Sequence, residues 1–295
     1  MKILLIASLF SEGNTVLLVS KALNNLGHSV YFYNYVIEEK HVNDDFDLCI
    51  VWTNRPFDPK ILNGKPFAYM YLDDPYFWKL AKPEFNIDVM CKDFEHVFTN
   101  MKWEGYDSNR YHFLPFGVLQ EIHSLINMSE EDIKIYESDI CFVGTVRGNR
   151  ENFIRKIASK IDLKKYKFKI WGNGWDSIIK TKPAYFYDMS KILSTSKIVI
   201  TEHFKNGFST ADFEKPAVGG ALMISDIDMI KEVYPMCPVY HNEDELLNII
   251  NYYLEHKDER LKIVKEMQII AHKNFTYEIQ LKKMIEIIMN DQKVV

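Results

Sequence analysis

The chain has 295 residues, of which 47% are apolar, 14% aromatic and 26% charged, a composition too apolar for a disordered protein. Because one domain holds roughly 100–200 residues, this length favours two domains over one or three. The 36 basic and 41 acidic side chains leave a net charge of −5, which removes the generic argument for a nucleic-acid partner without excluding a local basic groove.

The first half of the chain has the strand and helix pattern of a Rossmann-type unit. Val16, Val19 and Leu23 fall on one face of a predicted helix, and Gly27 supplies its end. The loop Ser11–Asn14 precedes this helix. Near-continuous apolar runs are expected when helices cover both faces of a parallel sheet. They predict six strands: Ile3–Leu9, Ser29–Tyr33, Leu48–Thr53, Phe67–Leu72, His96–Thr99 and Tyr111–Leu114.

The same alternation restarts in the second half. The acidic stretch Ser129–Glu137 is typical of a linker and places the boundary near residues 120–136. The predicted strands are Asp139–Val146, Tyr166–Trp171, Lys197–Thr201 and Ala221–Ser225. The predicted helices are Arg150–Ile161, Ala184–Ser194, Phe213–Val218 and Asp244–His256. A terminal helix is predicted from an apolar stripe of Leu281, Met284, Ile285 and Ile288.

These elements predict an α/β fold of two Rossmann-like domains that face each other across a cleft. The first domain covers residues 1–120 and the second covers residues 136–275. Residues 276–295 form a C-terminal helix that can pack back on the first domain. Open α/β sheets bind ligands at the carboxyl ends of their strands. Functional residues are therefore expected in the loops just after strands.

Cysteine usage and the N-terminus both indicate a cytoplasmic protein. Three of the four cysteines lie within or beside apolar runs, so buried free thiols are expected rather than disulfides or metal ligands. The cysteines are Cys49, Cys91, Cys141 and Cys237. The opening MKILLIASLFSEGN has one lysine and no small-x-small cleavage site after it, which favours a β-strand over a signal peptide. No apolar run is long enough to predict a membrane span.

The segment Thr201–Asp226 (TEHFKNGFSTADFEKPAVGGALMISD) holds the densest group of candidate residues. It runs from a strand through a polar loop and a helix to another strand. Ser209 and Thr210 are suited to capping the helix, whose free N–H groups would form an anion site. Glu214 can accept hydrogen bonds from a ribose diol. The same pattern also fits a capped helix with a solvated glutamate.

Two further loops of the second half follow predicted strands. In VGTVRGNRENF, Arg147 and Arg150 are suited to a diphosphate because each guanidinium donates two hydrogen bonds at once. Arginines on a surface turn would give the same pattern. In IWGNGW, Gly172 and Gly174 permit close approach of the backbone, and the Trp175 indole could pack beside a nucleobase. A glycine turn after a strand is common, so this motif alone is weakly specific.

In the first half, Asp73 and Asp74 follow the fourth strand, in YLDDPYFW. They can orient an acceptor hydroxyl or act as a base, or they can cap the turn before Pro75. Gly13, ahead of the first helix, is a second candidate anion contact. The aspartates have no histidine or third carboxylate nearby, so no metal site is predicted. The sequence also lacks GxSxG, GxxxxGK[ST] and GxGxxG motifs, which argues against hydrolases, P-loop proteins and ordinary dinucleotide-binding proteins.

With these residues in view, the chain resembles the GT-B glycosyltransferases, most closely the spore maturation protein CgeB-like group of nucleotide-sugar transferases. The similarity is clearest from about Asp139 to Ile288, in DICFVGTVRGNRENFIRKIA, IWGNGW, YDMSKILSTSKIVI and FSTADFEKPAVGGALMISD. The last of these is similar to the family's T-x-R-x-F-E-x-x-A-x-G-x-x-x-x-x-D pattern. In the first half, YLDDP and LPFGVLQEIH resemble its D-D-P turn and its L-P-x-x-x-x-x-x-x-H segment.

The resemblance implies a donor site in the second domain. It gives Glu214 the ribose-binding role, and it places Arg147 and Arg150 in the loop that faces the donor diphosphate. The other donor-binding candidates are Gly172, Gly174 and Trp175 near the base, Phe208, Ser209 and Thr210 before the glutamate, and Gly13 in the first domain. Asp73 and Asp74 are the catalytic candidates.

Two positions depart from the family pattern. Ala211 stands where the family has an arginine, and Asn206 stands at the first position of the Glu-x7-Glu pair of many retaining enzymes. Lys205 or Lys215 could replace the missing positive charge.

The resemblance implies transfer of a sugar from a nucleotide-diphosphate sugar, most readily a UDP-sugar, to an acceptor hydroxyl. It implies a retaining, metal-independent hexosyl- or pentosyltransferase that uses the donor as co-substrate and needs no tightly bound cofactor. The acceptor, whether glycan, protein or nucleic acid, stays open. The alternatives are a sugar-nucleotide epimerase, a non-catalytic nucleotide-sugar-binding protein and a DNA-base-modifying glycosyltransferase, against which the net acidity argues.

Overall fold

The computed structural model describes residues 1–7, 15–34, 45–53, 57–71, 86–100, 107, 109–179, 181–203 and 207–291. The chain divides into two compact units. The first consists of Met1–Leu119 together with Thr276–Val295, and the second consists of Gln120–Phe275. In the described residues each unit is built on a parallel β-sheet with helices, which confirms the predicted α/β class.

The sheet of the first unit has the order β2-β1-β3-β4-β5-β6, and every neighbouring pair in it is parallel. Its central strands are buried almost throughout, as apolar runs without alternation predict. The register places Ile3 between Val30 and Leu48. The strands are β1 (Lys2–Ala7), β2 (Ser29–Asn34), β3 (Leu48–Thr53), β4 (Phe67–Tyr71), β5 (Val97–Thr99) and β6 (Tyr111–Phe113).

Two helices of the first unit follow from local sequence signals. Helix α1 (Thr15–Asn25) buries the predicted apolar face, and the chain then turns at Gly27 with a φ of +81°, which glycine adopts without strain. Helix α2 (Ile87–Met90) is a single turn whose N-terminus is capped by the Asn86 side chain. A short 3-10 turn spans Pro59–Leu62.

The sheet of the second unit has the order β10-β9-β7-β8, again with parallel neighbours. Its strands are β7 (Ser138–Val143), β8 (Phe168–Trp171), β9 (Ser196–Ile200) and β10 (Leu222–Ile224). Because these strands run in one direction, their carboxyl ends and the loops that follow lie along the same edge of the sheet.

The helices of the second unit include two that the sequence analysis did not identify. Ser129–Glu137 is not an extended linker, because it contains helix α3, whose first turn is capped by the Ser129 hydroxyl and carries three acidic residues. Helix α8 buries only a narrow stripe of its surface, so its periodicity is weak. The helices are α3 (Glu130–Tyr136), α4 (Arg150–Lys160), α5 (Tyr187–Thr195), α6 (Ala211–Val218), α7 (Glu243–Glu255) and α8 (Lys257–Asn274). A 3-10 turn spans Asp228–Glu232.

The last helix, α9 (Tyr277–Asp291), belongs to the first unit, which confirms that the C-terminal helix packs back on it. The Tyr277 amide donates to the carbonyl of Val118 at 2.9 Å. Gly117 is required beside it, because a Cβ there would lie 2.6 Å from Tyr277 backbone atoms. Helix α9 buries Leu281, Met284 and Ile288 of the predicted stripe.

The four cysteines are buried free thiols, as their sequence context predicts. In the described part of the chain, no helix combines the length and the apolar character that crossing a lipid bilayer requires.

Candidate functional site

The candidate site lies in the second unit, at the carboxyl edge of its sheet. Strand β7 continues into the loop that carries Arg147, and strand β8 continues into the glycine turn. Strand β9 continues through Thr201–His203 toward the N-terminus of α6, and Asp226 follows β10. The loops predicted to carry chemistry are therefore neighbours at one edge of the sheet.

Glu214 stands in the first turn of α6, with its amide bonded to the carbonyl of Thr210 at 3.0 Å. Its side chain is 13% exposed, and its Oε1 lies 3.5 Å from Nε2 of His123, whose side chain is fully buried. His123 ends the LPFGVLQEIH segment. The fold thus brings together two residues from separate motifs. The sequence analysis assigned a function only to the glutamate.

The hydrogen bonds at the start of α6 differ from the predicted ones, because a helix residue accepts from the residues before the helix. Thr210 occupies the N-cap position, but its side chain makes no capping hydrogen bond. Instead Asp212 Oδ2 accepts from the Ser209 amide at 2.7 Å and from the Ser209 hydroxyl at 3.0 Å. The prediction that Ser209 and Thr210 cap the helix is therefore wrong. The Asp212 carboxylate, which belongs to the helix, makes the side-chain hydrogen bonds at its start. Phe208 is buried against Phe213, so its side chain is a core group.

A buried histidine lies between two aspartates behind this helix start. His203, 4% exposed, faces Asp212 through Nε2 at 2.9 Å and Asp226 through Nδ1, and its amide donates to Asp226 Oδ2 at 2.9 Å. Burial lowers the pKa of His203, but the hydrogen bonds to the two aspartates outweigh it and raise the pKa to about 9. The ring is therefore a cation at neutral pH and donates from both nitrogens.

Lys215 belongs to the same helix, and its side chain is buried, with the residue 2% exposed. Its Nζ donates to Thr201 Oγ1 at 2.9 Å and lies 6.0 Å from the centre of the Phe142 ring. Burial lowers the pKa of Lys215 to about 8, although the nearby carboxylate of Asp212 opposes this shift. The predicted replacement of a missing arginine by Lys215 can therefore act only through its electric field, because its ammonium group is not on the surface.

The two arginines of the β7 loop have different environments. Arg150 is largely buried: its Nε lies 2.6 Å from Glu202 Oε2, its Nη1 donates to the carbonyl of Thr145 at 2.7 Å, and its Nη2 donates to the carbonyl of Glu202. These contacts orient the Arg150 guanidinium toward the protein rather than toward a ligand, contrary to the sequence expectation. Arg147 is exposed on the turn before α4.

The glycine turn after β8 is tied to the loop after β7. Gly172 has a φ of +136°, and a Cβ there would lie 2.2 Å from the carbonyl oxygen of Gly144. Gly174 has a φ of +82°. Trp175 is fully buried, donates from Nε1 to the Gly144 carbonyl at 2.8 Å and packs edge-on against Phe142. Its indole is thus not available to stack on a nucleobase, which corrects the sequence expectation.

Several predicted residues lie outside the described residues. These are the catalytic candidates Asp73 and Asp74, the anion-binding candidate Gly13, and Lys205 and Asn206 of the β9 loop. Their roles stay predictions. Within the described ranges, no group of three His, Cys, Asp or Glu side chains is arranged to hold a metal ion.

The sequence analysis assigned no role to Asp212 or His203. The one available signal was the position of His203, which comes three residues after the end of a buried strand. Six charged side chains of this region form a group that we call the buried charge cluster: Arg150, Glu202, His203, Asp212, Lys215 and Asp226.

Two parallel-sheet units in series, with the candidate site at the edge of the second, define the GT-B class of fold. The chain is similar to HepE of Anabaena, solved with UDP-glucose, at a TM-score of 0.64 and 14% identity over 97% of this chain and 98% of that one. It is also similar to a UDP-forming α,α-trehalose-phosphate synthase of Burkholderia xenovorans, solved with glucose-6-phosphate, at a TM-score of 0.58 and 10% identity over 84% of this chain and 74% of that one. An α1,3-fucosyltransferase solved with GDP matches at a TM-score of 0.54 and 13% identity over 98% of this chain and 90% of that one.

Sequence comparison finds one family whose profile matches part of the chain. The profile of the Glycosyl transferase-like family matches residues 148–286, a range that contains α6, Glu214 and the whole buried charge cluster. No curated protein sequence matches the chain significantly. By these comparisons the chain has the GT-B fold, and residues 148–286, just under half of its length, are similar to the Glycosyl transferase-like family. The narrower CgeB-like grouping stays a prediction.

Proposed function

We propose that the protein transfers a sugar from a nucleoside-diphosphate sugar to an acceptor hydroxyl. The observation that carries the proposal is the position of Glu214, a partly exposed carboxylate in the first turn of α6, at the carboxyl edge of a parallel sheet. A carboxylate can accept hydrogen bonds from both hydroxyls of a ribose, and this edge is where such sheets bind nucleotides. The family match across residues 148–286 supports the same reaction class.

The leaving diphosphate gains negative charge as the sugar departs, so the site must supply positive potential. Arg147 is exposed on the β7 loop and can donate to a phosphate. The N-terminus of α6 contributes its dipole. Lys215 adds a buried cation within the same unit. In this proposal such fixed charges stabilise the leaving group without a metal ion, and the leaving phosphate takes the acceptor proton in a retaining reaction, as the resemblance implies.

The first unit would then bind the acceptor, with Asp73 and Asp74 orienting its hydroxyl. UDP is the first nucleotide to test, because HepE was solved with UDP-glucose. GDP follows, because it was bound to the similar fucosyltransferase. A cytoplasmic location agrees with four free, buried thiols.

A second candidate function is nucleotide-sugar binding without turnover. Two observations favour it: Ala211 stands where the family has an arginine, and Arg150 is held by Glu202 and by backbone carbonyls. Both reduce the positive charge available to a departing diphosphate.

The deciding experiment is a thermal-shift screen of UDP-, GDP-, dTDP- and CMP-sugars. A ligand at about 100 times its Kd adds about 2.7 kcal/mol, which corresponds to a rise in melting temperature of about 5–10 °C for a unit of this size. We expect one sugar nucleotide to give such a rise and Glu214→Ala to abolish it. The proposal is wrong if none of these donors stabilises the protein.

Turnover of the stabilising donor then separates the remaining candidates. Release of the nucleoside diphosphate that increases with an added acceptor supports a transferase. Conversion of the donor sugar without an acceptor indicates an epimerase. Binding with neither product indicates the non-catalytic alternative.

A further inference from the structure

We infer that His123 is a positioning residue that holds Glu214 in the orientation needed to bind the ribose of the donor. This inference rests on the proposed function and adds to the site a residue outside the family match, which begins at residue 148. The observation behind it is the 3.5 Å separation between His123 Nε2 and Glu214 Oε1 inside the second unit.

Backbone contacts on both sides of His123 hold it in place. The Ser190 hydroxyl of α5 donates to the carbonyl of Ile122 at 2.7 Å in a buried hydrogen bond. The Ile126 amide donates to the Ser194 hydroxyl of the same helix at 3.0 Å. The segment that carries His123 is thus tied to α5 before and after the imidazole, so the ring has little freedom to move.

The side chain of Glu214 is intrinsically flexible, in contrast to the fixed ring of His123. A glutamate side chain has three rotatable bonds and loses considerable rotamer freedom when it is fixed. A rigid imidazole 3.5 Å from one carboxylate oxygen restricts the side chain and removes part of that cost before the ligand arrives, which is how preorganisation raises affinity. Because a carboxylate offers about four acceptor sites, the contact with His123 on the side of Oε1 leaves sites for the two ribose hydroxyls.

A second buried histidine in the same unit serves as a matched control. His272 of α8 lies close enough to His123 to influence it electrostatically, and its Nε2 lies 2.8 Å from the carbonyl of Ala217 on α6. It therefore supports the same helix as His123 does. His272 Nε2 contacts a backbone carbonyl rather than Glu214, so the loss of this side chain tests a purely structural effect.

The experiment measures the preference for the ribose diol by calorimetry. The probes are UDP and GDP, each with its 2′,3′-dideoxy analogue, and the readout is the ratio of the two Kd values. Hydrogen bonds to a charged group are worth about 1.5–3 kcal/mol, so the wild-type ratio should be about 10-fold or more. We expect His123→Leu to reduce it to about 3-fold or less, and His272→Leu to preserve it.

Two further arms separate positioning from structure. His123→Gln places an amide N–H near the position of Nε2 and should retain most of the ratio, whereas His123→Asn is too short and should lose it. These two variants also carry the test if His123→Leu does not fold. In a Glu214→Ala background, the His123 substitutions should leave the already reduced ratio unchanged.

The outcomes distinguish this inference from the proposed function. If Glu214→Ala loses the ribose preference and neither His123→Leu nor His123→Asn does, the positioning role is refuted and the proposed function stands. Equal losses in His123→Leu and His272→Leu also refute it, because they would indicate a general effect on α6. If the wild-type protein binds no nucleotide from the screen of UDP-, GDP-, dTDP- and CMP-sugars, the proposed function fails and this inference fails with it.

Discussion

Replacing His203 by glutamine removes the cation that lies between Asp212 and Asp226, and this changes how the stability of the second unit depends on pH. The pKa of His203 is about 9 in the folded chain, against an ordinary value of about 6.5. The folded state therefore holds the proton more tightly than the unfolded state. The stability that this contributes is complete below about pH 6.5 and is lost as the pH rises through about 9.

The size of the effect follows from the separation of the two pKa values. A difference of about 2.5 in pKa at about 1.4 kcal/mol per unit corresponds to about 3–4 kcal/mol. The side chain of His203 is 4% exposed, so solvent screening reduces this figure little. The wild-type protein should therefore lose its advantage over His203→Gln at a rate of about 1.4 kcal/mol per pH unit between these limits.

The assay is urea unfolding followed by tryptophan fluorescence, from about pH 6 to about pH 9, for both proteins in a reducing buffer. The quantity to plot is the difference between the two free energies of unfolding. Burial raises the pKa of all four cysteine thiols, and they ionise on unfolding in both proteins, so their contribution cancels in the difference. A difference that stays constant with pH would refute the assignment of a proton to His203.

Lys215→Met is the matched control with the opposite sign. Burial lowers the pKa of Lys215 to about 8, so between about 8 and 10.5 the unfolded state binds more protons than the folded state. The stability of the wild type relative to Lys215→Met should therefore rise with pH in that window, whereas its stability relative to His203→Gln falls up to about pH 9.

Four other substitutions test the site assignments. Trp175→Phe should cost about 1–2 kcal/mol of stability through the lost bond to Gly144 and leave the Kd for UDP unchanged, as calorimetry would show; a large loss of affinity would restore its contact with the base. Gly172→Ala should destabilise the chain by at least about 2 kcal/mol in urea unfolding, because its Cβ would overlap the Gly144 carbonyl; an unchanged midpoint would contradict this. Arg147→Ala should weaken UDP binding about tenfold, whereas Arg150→Ala should cost about 3 kcal/mol of stability by leaving Glu202 unpaired. The reverse pattern would exchange their roles.

Sequence patterns predicted the strands well because their signals are local. Each buried strand is a short apolar run, and each restart of the strand-helix alternation is visible without knowing any long-range contact. Ser129–Glu137 shows where this fails. An acidic run is typical of a linker, and the same acids stabilise the first turn of a helix capped by Ser129. The choice depends on packing that a window of nine residues does not contain.

The site was less predictable because its residues are paired across long stretches of chain. The motif IWGNGW is compatible with a Trp175 side chain that points outward to a base and with one that points inward to Gly144. The orientation depends on the β7 loop, whose Gly144 carbonyl accepts from the indole. Similarly, His203 has an ordinary neighbourhood in sequence. Its role depends on Asp226, which the fold brings beside it at the end of a neighbouring parallel strand.

The buried charge cluster explains how α6 can carry two carboxylates beside the proposed donor site. With His203 protonated, the cluster holds three cations (Arg150, His203 and Lys215) and three anions (Glu202, Asp212 and Asp226), so its formal charge is zero. Asp212 can then organise the start of the helix without repelling a diphosphate. The local field on a diphosphate is left to Arg147, the helix dipole and Glu214, and the glutamate serves the ribose rather than the phosphates. Loss of either the His203 or the Lys215 proton makes the cluster anionic. In the proposed function, the charge balance that favours donor binding is therefore the same one that holds this part of the fold together.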